Sequence, residues 1–313
     1  MPPNKIAPFA GLSALVLVVL LCGVSGCKKD KPKPPPPELS VTLIEPGSEP
    51  RAPLRYAIAA DTVVQSSMEM RTAATTTEDV QDTFGVLPGL KLELHAGPTV
   101  ALPKEVTRYV LRISRAYPVL PEGTEIHHVR DVEAGVLALN NTRGRFDLSD
   151  RGIVLESDVP WTEGQERIHP RVTIMLGNVR SAIATVPVPV EPVGIGAVWE
   201  VRRMFRIWSA RVTQVTRYEL VDRSADQFRV KVTIQQSAPA QIADINPKLE
   251  LHVRTYEMTA KGHILVDLDL PIALEADLES ESDADIALVS PEQTEPLQAA
   301  RRSIMRLVTE SER

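Results

Sequence analysis

Ile264-Leu265-Val266-Asp267-Leu268-Asp269-Leu270-Pro271-Ile272-Ala273-Leu274-Glu275-Ala276-Asp277-Leu278 is the stretch that decides the fold. Its even positions are apolar, and its odd positions carry Asp267, Asp269, Glu275 and Asp277. A period of two over that length is an antiparallel strand, or two strands jointed at Pro271, with one face buried. The apolar side then takes Ile264, Val266, Leu268, Leu270, Ile272, Leu274 and Leu278, and Asp267 falls on the opposite, solvent side. The same phase runs through Phe228, Val230, Val232 and Ile234, which alternate with Arg229, Lys231, Thr233 and Gln235. Val212 to Val221 and Thr107 to Ile113 are rich in Val, Thr, Tyr and Ile and read as further strands. Asp222 to Asp226 reads as a hairpin connection. Asp150-Arg151-Gly152 reads as another, between Arg145–Leu148 and Ile153–Ser157.

Helical spacing appears in one place. Val172, Met175, Leu176, Val179 and Ile183 recur every three or four residues between Pro170 and Pro187, as on one amphipathic helix. Gln298 to Thr309 is a weaker helical candidate, without a clean apolar stripe. An acidic run follows the deciding stretch: Glu275, Asp277, Glu279, Glu281, Asp283 and Asp285 occupy every second position. On a continuous strand these six carboxylates would share a face and repel. The strand is therefore expected to end near Leu278, with a solvated loop beyond.

Two short matches recur in the same order. Val106-Thr107-Arg108-Tyr109-Val110-Leu111 resembles Val215-Thr216-Arg217-Tyr218-Glu219-Leu220, and Ile153-Val154-Leu155-Glu156-Ser157-Asp158 resembles Ile272-Ala273-Leu274-Glu275-Ala276-Asp277. They suggest a duplication. The expected fold is mainly β: antiparallel curved sheets or a sandwich from two related halves, with one connecting amphipathic helix.

The other end of the chain carries an address. Lys5 precedes an uncharged apolar run from Phe9 to Leu21, which closes in Val24-Ser25-Gly26-Cys27-Lys28-Lys29. From Ala10 to Val24 the run is shorter than the ~20 residues of a spanning helix. The segment resembles the lipoprotein signals processed by signal peptidase II. That resemblance implies cleavage between Gly26 and Cys27 and lipidation of Cys27, and it covers only the first 27 residues. With Cys22 discarded and Cys27 acylated, the mature chain has no thiol left for a disulfide, a zinc site or a nucleophile. Lys28 to Pro37, rich in proline and lysine, favours an extended stalk. The expected organisation is a signal peptide at 1–26, lipidated Cys27 and stalk at 27–50, a first β half at 51–162, a helix and proline-rich connector at 163–193, and a second β half at 194–313. Pro192-Val193-Gly194-Ile195-Gly196-Ala197-Val198-Trp199 is similar to a stretch of uncharacterised β-rich lipoproteins of Gram-negative bacteria. The resemblance implies an address and an architecture, and no activity.

The remaining composition argues against several functions. A net charge of -6, a 4% aromatic content and scattered arginines do not suit nucleic-acid binding. Gly194-Ile195-Gly196 lacks the third glycine of a dinucleotide loop and reads as a turn feeding a strand. His95, His127, His128, His169, His252 and His263 show no ligand spacing, and no serine sits in a nucleophile elbow. Asn140-Asn141-Thr142 reads as a turn. No catalytic residue, metal ligand or cofactor is expected. The expected protein is an exported, lipid-anchored envelope lipoprotein facing the periplasm, with a non-enzymatic structural or protein-interaction role. Its partners are membrane lipid through acylated Cys27 and other envelope proteins. The alternative is carriage of a lipid or other hydrophobic ligand in a curved sheet.

Overall fold

The computed structural model describes residues 39–76, 89–119, 133, 136–158, 185–207, 210–246, 249–290 and 297–312. Cys27, its cleavage site and the helix expected at 172–184 lie outside them. The protein is mainly β, in one antiparallel sheet of fourteen strands. In chain order these are β1 (Leu39–Glu45), β2 (Val64–Thr76), β3 (Gly89–Ala96), β4 (Val100–Leu102), β5 (Val106–Val119), β6 (Arg143–Ser149), β7 (Val154–Asp158), β8 (Val198–Ile207), β9 (Ala210–Arg223), β10 (Gln227–Ala238), β11 (Gln241–Asn246), β12 (Leu249–Asp267), β13 (Glu275–Val289) and β14 (Leu297–Glu312).

Their order is β1-β8-β9-β10-β12-β13-β14-β2-β3-β5-β6-β7, with β11 beside β12 and β4 beside β5. Each half is thus a meander of consecutive strands, and the β14–β2 ladder joins them. β1 belongs to the sheet through β8, so the folded part begins inside the stretch assigned above to the stalk. The two sequence matches do not fall on equivalent strands. Thr107–Leu111 lies in β5 and Thr216–Leu220 in β9. β7 is two strands beyond β5, whereas β13 is three beyond β9. Two antiparallel steps preserve strand direction and three reverse it, so no single rotation overlays both pairs. The matches share local chemistry, a buried Tyr and Leu on an inward-facing phase.

The period-two reading holds in detail. On β10, Phe228, Val230, Val232 and Ile234 are buried and alternate with more accessible residues. The deciding stretch resolves as two strands jointed around Pro271: β12 ends at Asp267 and β13 begins at Glu275. Leu268, Leu270 and Ile272 in the connection are all buried. Asp267 is a correction, since it is 1% exposed rather than in solvent. Its carboxylate accepts from Gln227 Nε2 at 3.1 Å and from the Asp269 amide at 2.9 Å, because the chain folds over it as the strand ends. A second correction concerns 298–309, which lies in strand β14 and not in a helix. Pairing along both β13 and β2 outweighs its helical composition.

The sheet is rolled. Pro187 accepts a hydrogen bond from Trp199 Nε1 of β8 at 2.8 Å, and the next residue, Val188, donates its amide to Arg151 in the β6–β7 turn at 3.0 Å. β8 and β6 are nine places apart in the strand order. At ~4.8 Å per strand they would lie ~43 Å apart if the sheet were flat. Adjacent residues cannot bridge that distance, so the sheet curls until both ends share one plug. Its free edges, β1 and β7, stay unpaired with each other.

The plug is built from 51–60 and 185–197. Tyr56 is buried; its hydroxyl donates to the Val186 carbonyl and accepts from the Val186 amide, both at 3.1 Å. The backbone amides of Tyr56 and Ala57 donate to Asp150 and Leu268, tying the plug to two strand connections. Proline has no amide hydrogen, so Val186-Pro187-Val188-Pro189-Val190 cannot join a ladder and its carbonyls need outside donors. Trp199 serves Pro187, Arg151 serves Val188, and Arg55 serves Pro189 and Val190. Gly152, at φ +70°, is required here: a Cβ would stand 2.6 Å from the Tyr56 ring and 2.7 Å from the Val186 carbonyl. Inward aromatics stack across neighbouring strands beside the plug, Tyr109 on Phe146 at 5.2 Å and Trp199 on Tyr218 at 5.5 Å.

Tyr56→Phe keeps the ring and removes both hydroxyl bonds, leaving the buried Val186 groups without partners. Urea unfolding is expected to show a loss of about 1–3 kcal/mol, against no change for Tyr117→Phe on an exposed position. An unaltered Tyr56→Phe midpoint would mean the plug does not hold the roll.

Candidate functional site

The interior is not uniformly apolar. Ala210, Val212, Tyr218 and Leu220 of β9 follow the inward phase, but Gln214 and Thr216 interrupt it, as Gln236 does on β10. In register, Arg203 of β8 faces Gln214, and Gln214 faces Gln236. The three therefore form a row across the inner face. Arg203 Nη2 and Gln236 Nε2 both donate to Gln214 Oε1, at 3.0 and 2.8 Å. Gln214 Nε2 donates to Thr216 Oγ1 at 2.9 Å, and Tyr256 O–H donates to Gln236 Oε1 at 2.8 Å. Gln214, Thr216 and Gln236 are 4%, 1% and 5% exposed, so these bonds replace the water that the amides lose. The Arg203 guanidinium also lies 5.2 Å from the Phe205 ring centre. Burial pushes Tyr256 up to about 12, so its hydroxyl stays protonated. The row holds one permanent cation and four neutral groups, and it is built to fix geometry rather than to move protons. Sequence reasoning passed over it, although the signal was present: Gln214, Thr216 and Gln236 stand where the alternation calls for apolar residues.

Beyond this row, away from the plug, the sheet narrows to its longest strands. Ala238 pairs with Tyr256 and Gln241 with Val253, so β10 and β11 run in one unbroken register along β12. Together they form a single long hairpin interrupted only at Pro239–Ala240. Relative to β13, the register slips at Arg254. This bulge keeps Leu251 and Val253 on the inner face with Tyr256 and Met258. Near the tip a cleft of about 400 Å³ opens among Ile242, His252, Arg254, Ala287 and Val289. Ala287 is buried at its floor, while Ile242 is 65% exposed at its lip. His252 Nε2 lies 2.8 Å from Glu250 Oε2, and Arg254 pairs with Asp285 at 3.5 Å.

The acidic run is a further correction. β13 continues to Val289, so Glu275, Asp277, Glu279, Glu281, Asp283 and Asp285 do share its outer face. Cations on the adjacent strands and on β10, one strand further, offset the repulsion. Arg306 binds Asp277 through two bonds at 3.1 and 2.9 Å, Arg229 reaches Glu275 at 3.4 Å, and Arg254 meets Asp285. Lys261 and Arg306 flank Glu279 in register. The sequence could not reveal this, because the balancing charges come from β10, β12 and β14.

Among the described residues, no three His, Cys, Asp or Glu side chains stand together as metal ligands. His95 lies in β3, and His252 and His263 lie apart on β12; the other three histidines lie outside the described residues. Gly194-Ile195-Gly196 forms the turn expected, with Gly196 at φ +81°. A Cβ at Gly194 would meet the Ser48 carbonyl at 1.7 Å. Asn140 and Asn141 also form a turn, in which Asn140 Oδ1 accepts from the Ala116 amide at 2.7 Å.

No known protein family matches the chain, and no curated protein does.

Removing one member of the polar row should cost more than removing two. Gln236→Leu strands the Tyr256 hydroxyl and should destabilise by about 1–3 kcal/mol. Adding Tyr256→Phe, which removes the stranded hydroxyl, should restore part of that loss in chemical denaturation, and strictly additive losses would show that the row is not a coupled unit. Charge balance on β13 has its own measurement. The hydrogen bonds from Arg306 hold the Asp277 carboxyl below the usual carboxylate range. What this pairing contributes is present at neutral pH and is lost as pH falls through that lowered value. An NMR titration should find Asp277 below the usual carboxylate range, and Arg306→Gln should bring it back into that range.

Proposed function

We propose that this chain is a lipid-anchored envelope lipoprotein whose folded part serves a non-enzymatic structural or protein-interaction role. The carrying observation is Val24-Ser25-Gly26-Cys27 at the close of a short uncharged apolar run. A thiol after small residues, delivered to the membrane surface, is the acceptor that diacylation requires. Acylation at the new N-terminus holds the chain to the bilayer without a spanning helix.

The folded part supports a binding or scaffolding role. On the plug side of the polar row the inner face is filled by its own side chains, with Trp199, Phe228, Tyr109 and Leu220 all buried. That filling favours the structural role over the alternative, carriage of a hydrophobic ligand in the rolled sheet. The open cleft beside Ile242 is the observation that favours the carrier. The two readings separate by mass spectrometry of organic extracts: a carrier copurifies with lipid beyond its own acyl chains, and a scaffold does not.

Cys27→Ala is expected to abolish incorporation of labelled palmitate and to leave a precursor that retains residues 1–26. A variant that still partitions quantitatively into membranes as the full-length species would overturn the acyl-anchor reading, because the apolar run would then be the anchor.

A further inference from the structure

We infer that His95, Arg112 and Arg143, in a row across the outer face of the first meander, form a binding site for a phosphoryl dianion. The site goes beyond the role proposed above and does not depend on how the chain is anchored.

Register brings the three together. His95 of β3 faces Arg112 of β5, and Arg112 faces Arg143 of β6. The residues beside them in each strand, Leu94, Ala96, Leu111, Ile113 and Gly144, are buried, so the alternation turns all three side chains outward. Opposed residues on one face carry Cβ atoms about 4.5–5.5 Å apart, close enough for long side chains to converge on one small group.

Charge is the second observation. Other arginines on this face meet carboxylates: Arg108 meets Asp147 at 2.7 Å, Arg145 meets Glu156 at 3.3 Å, and Arg115 meets Glu93 at 3.9 Å. Asp158 faces Arg145 in register, not Arg143. Among the described residues no carboxylate pairs with His95, Arg112 or Arg143. Two permanent cations directly opposite one another repel, and an anion held between them turns that repulsion into attraction. Arg112 Nε is also covered and donates to no described group.

Support is the third. Arg112 Nη2 donates to Asn141 Oδ1. The turn that carries Asn141 is fastened to β5: the Asn141 amide donates to the Ile113 carbonyl at 2.7 Å, the Ile113 amide donates to the Thr142 carbonyl at 3.0 Å, and Asn140 Oδ1 accepts from the Ala116 amide at 2.7 Å. These bonds close over the bulge at Ser114, where the β3–β5 register slips. One guanidinium is therefore held in place before any ligand arrives, which lowers the ordering cost of binding.

The donors select the ligand. Two guanidiniums supply two positive charges that do not titrate, each with a fork of N–H groups. His95 adds an N–H donor in either protonation state. A phosphate monoester or free phosphate carries about 1.5–2 negative charges at neutral pH and three acceptor oxygens, one for each side chain. A carboxylate or a phosphodiester carries a single charge and leaves one guanidinium unbalanced.

The test uses the full chain in a neutral detergent at constant ionic strength, with phosphorus NMR reading the bound ligand. Inorganic phosphate and glycerol 3-phosphate, a soluble form of a phosphomonoester headgroup, are titrated separately. Saturable binding is expected, weakened about tenfold or more by Arg112→Gln and by Arg143→Gln. Arg206→Gln removes a cation from the opposed Arg206–Arg211 pair elsewhere on the sheet and should leave binding unchanged. Tighter binding of the glycerol ester assigns the site to an esterified phosphate, and tighter binding of inorganic phosphate assigns it to the free ion. No saturation by either below about 10 mM overturns the inference. So does an Arg143→Gln chain that binds as the parent does, or an equal loss in all three variants, which marks diffuse attraction to a cationic surface. Equal binding of dimethyl phosphate, which carries one charge, overturns the dianion assignment. Thermal unfolding without phosphate is read on the same samples. Arg143→Gln is expected to be no less stable than the parent, since it relieves a like-charge contact; a less stable variant shows that Arg143 already has a partner, and the inference fails.

Discussion

The carbonyl groups of Val186-Pro187-Val188-Pro189-Val190 are the constraint on which the rest of the molecule depends. Two prolines remove this segment from any ladder, so its acceptors have to be met by donors from elsewhere. The donors come from places far apart in the strand order: Trp199 in β8, Arg151 in the β6–β7 turn, and Arg55 in the neighbouring plug segment. A single flat sheet could not present them together. Once they converge, the inner faces of the two meanders meet, and their alternating residues become one core. Had the connector been an ordinary strand, its own amides would have sought a sheet edge, and the roll would have lost its stopper.

Much of this architecture was legible in the chain, and the illegible parts share a cause. Alternation is a property of single strands, so β9, β10 and β12 announce themselves through their own residues. Partnership between strands is not written locally. The acidic run on β13 looked untenable because its cations, Arg229, Arg254 and Arg306, are supplied by other strands. Residues 298–309 looked helical because their composition is indifferent, and only pairing on both sides selects the extended form. Asp267 looked solvated because its phase is right, but the phase ends where the strand ends. The repeat misled for the opposite reason. Similar words such as Thr107–Leu111 and Thr216–Leu220 arise wherever a strand must bury Tyr and Leu, whatever its place in the sheet.

The same reasoning separates what was read of function. The anchoring signal is local, a matter of a few adjacent residues, and a sequence displays it directly. The polar row is distributed: Arg203, Gln214, Gln236 and Tyr256 come from four strands and mean nothing apart. A buried row of hydrogen bonds is expensive to misalign, because a one-residue slip of any strand would leave several groups without partners. Its position between the filled interior and the long outer hairpin suits a device that fixes register where the core ceases to do so.

The pairing of β1 with β8 also has a mechanical side. β1 is an edge strand, held along one flank only, and it is the first part of the sheet that any load on the preceding chain would meet. Leu39 is its outer end, so a pull directed away from the plug runs along the strand axis. Its six register pairs, from Leu39–Arg203 to Glu45–Val198, then share the force in shear instead of parting one at a time from an end. Inward Leu39, Val41 and Leu43 add packing against the core that must slide before the strand can leave. An edge that would otherwise be the weakest seam of the sheet thus becomes a fastening suited to sustained tension.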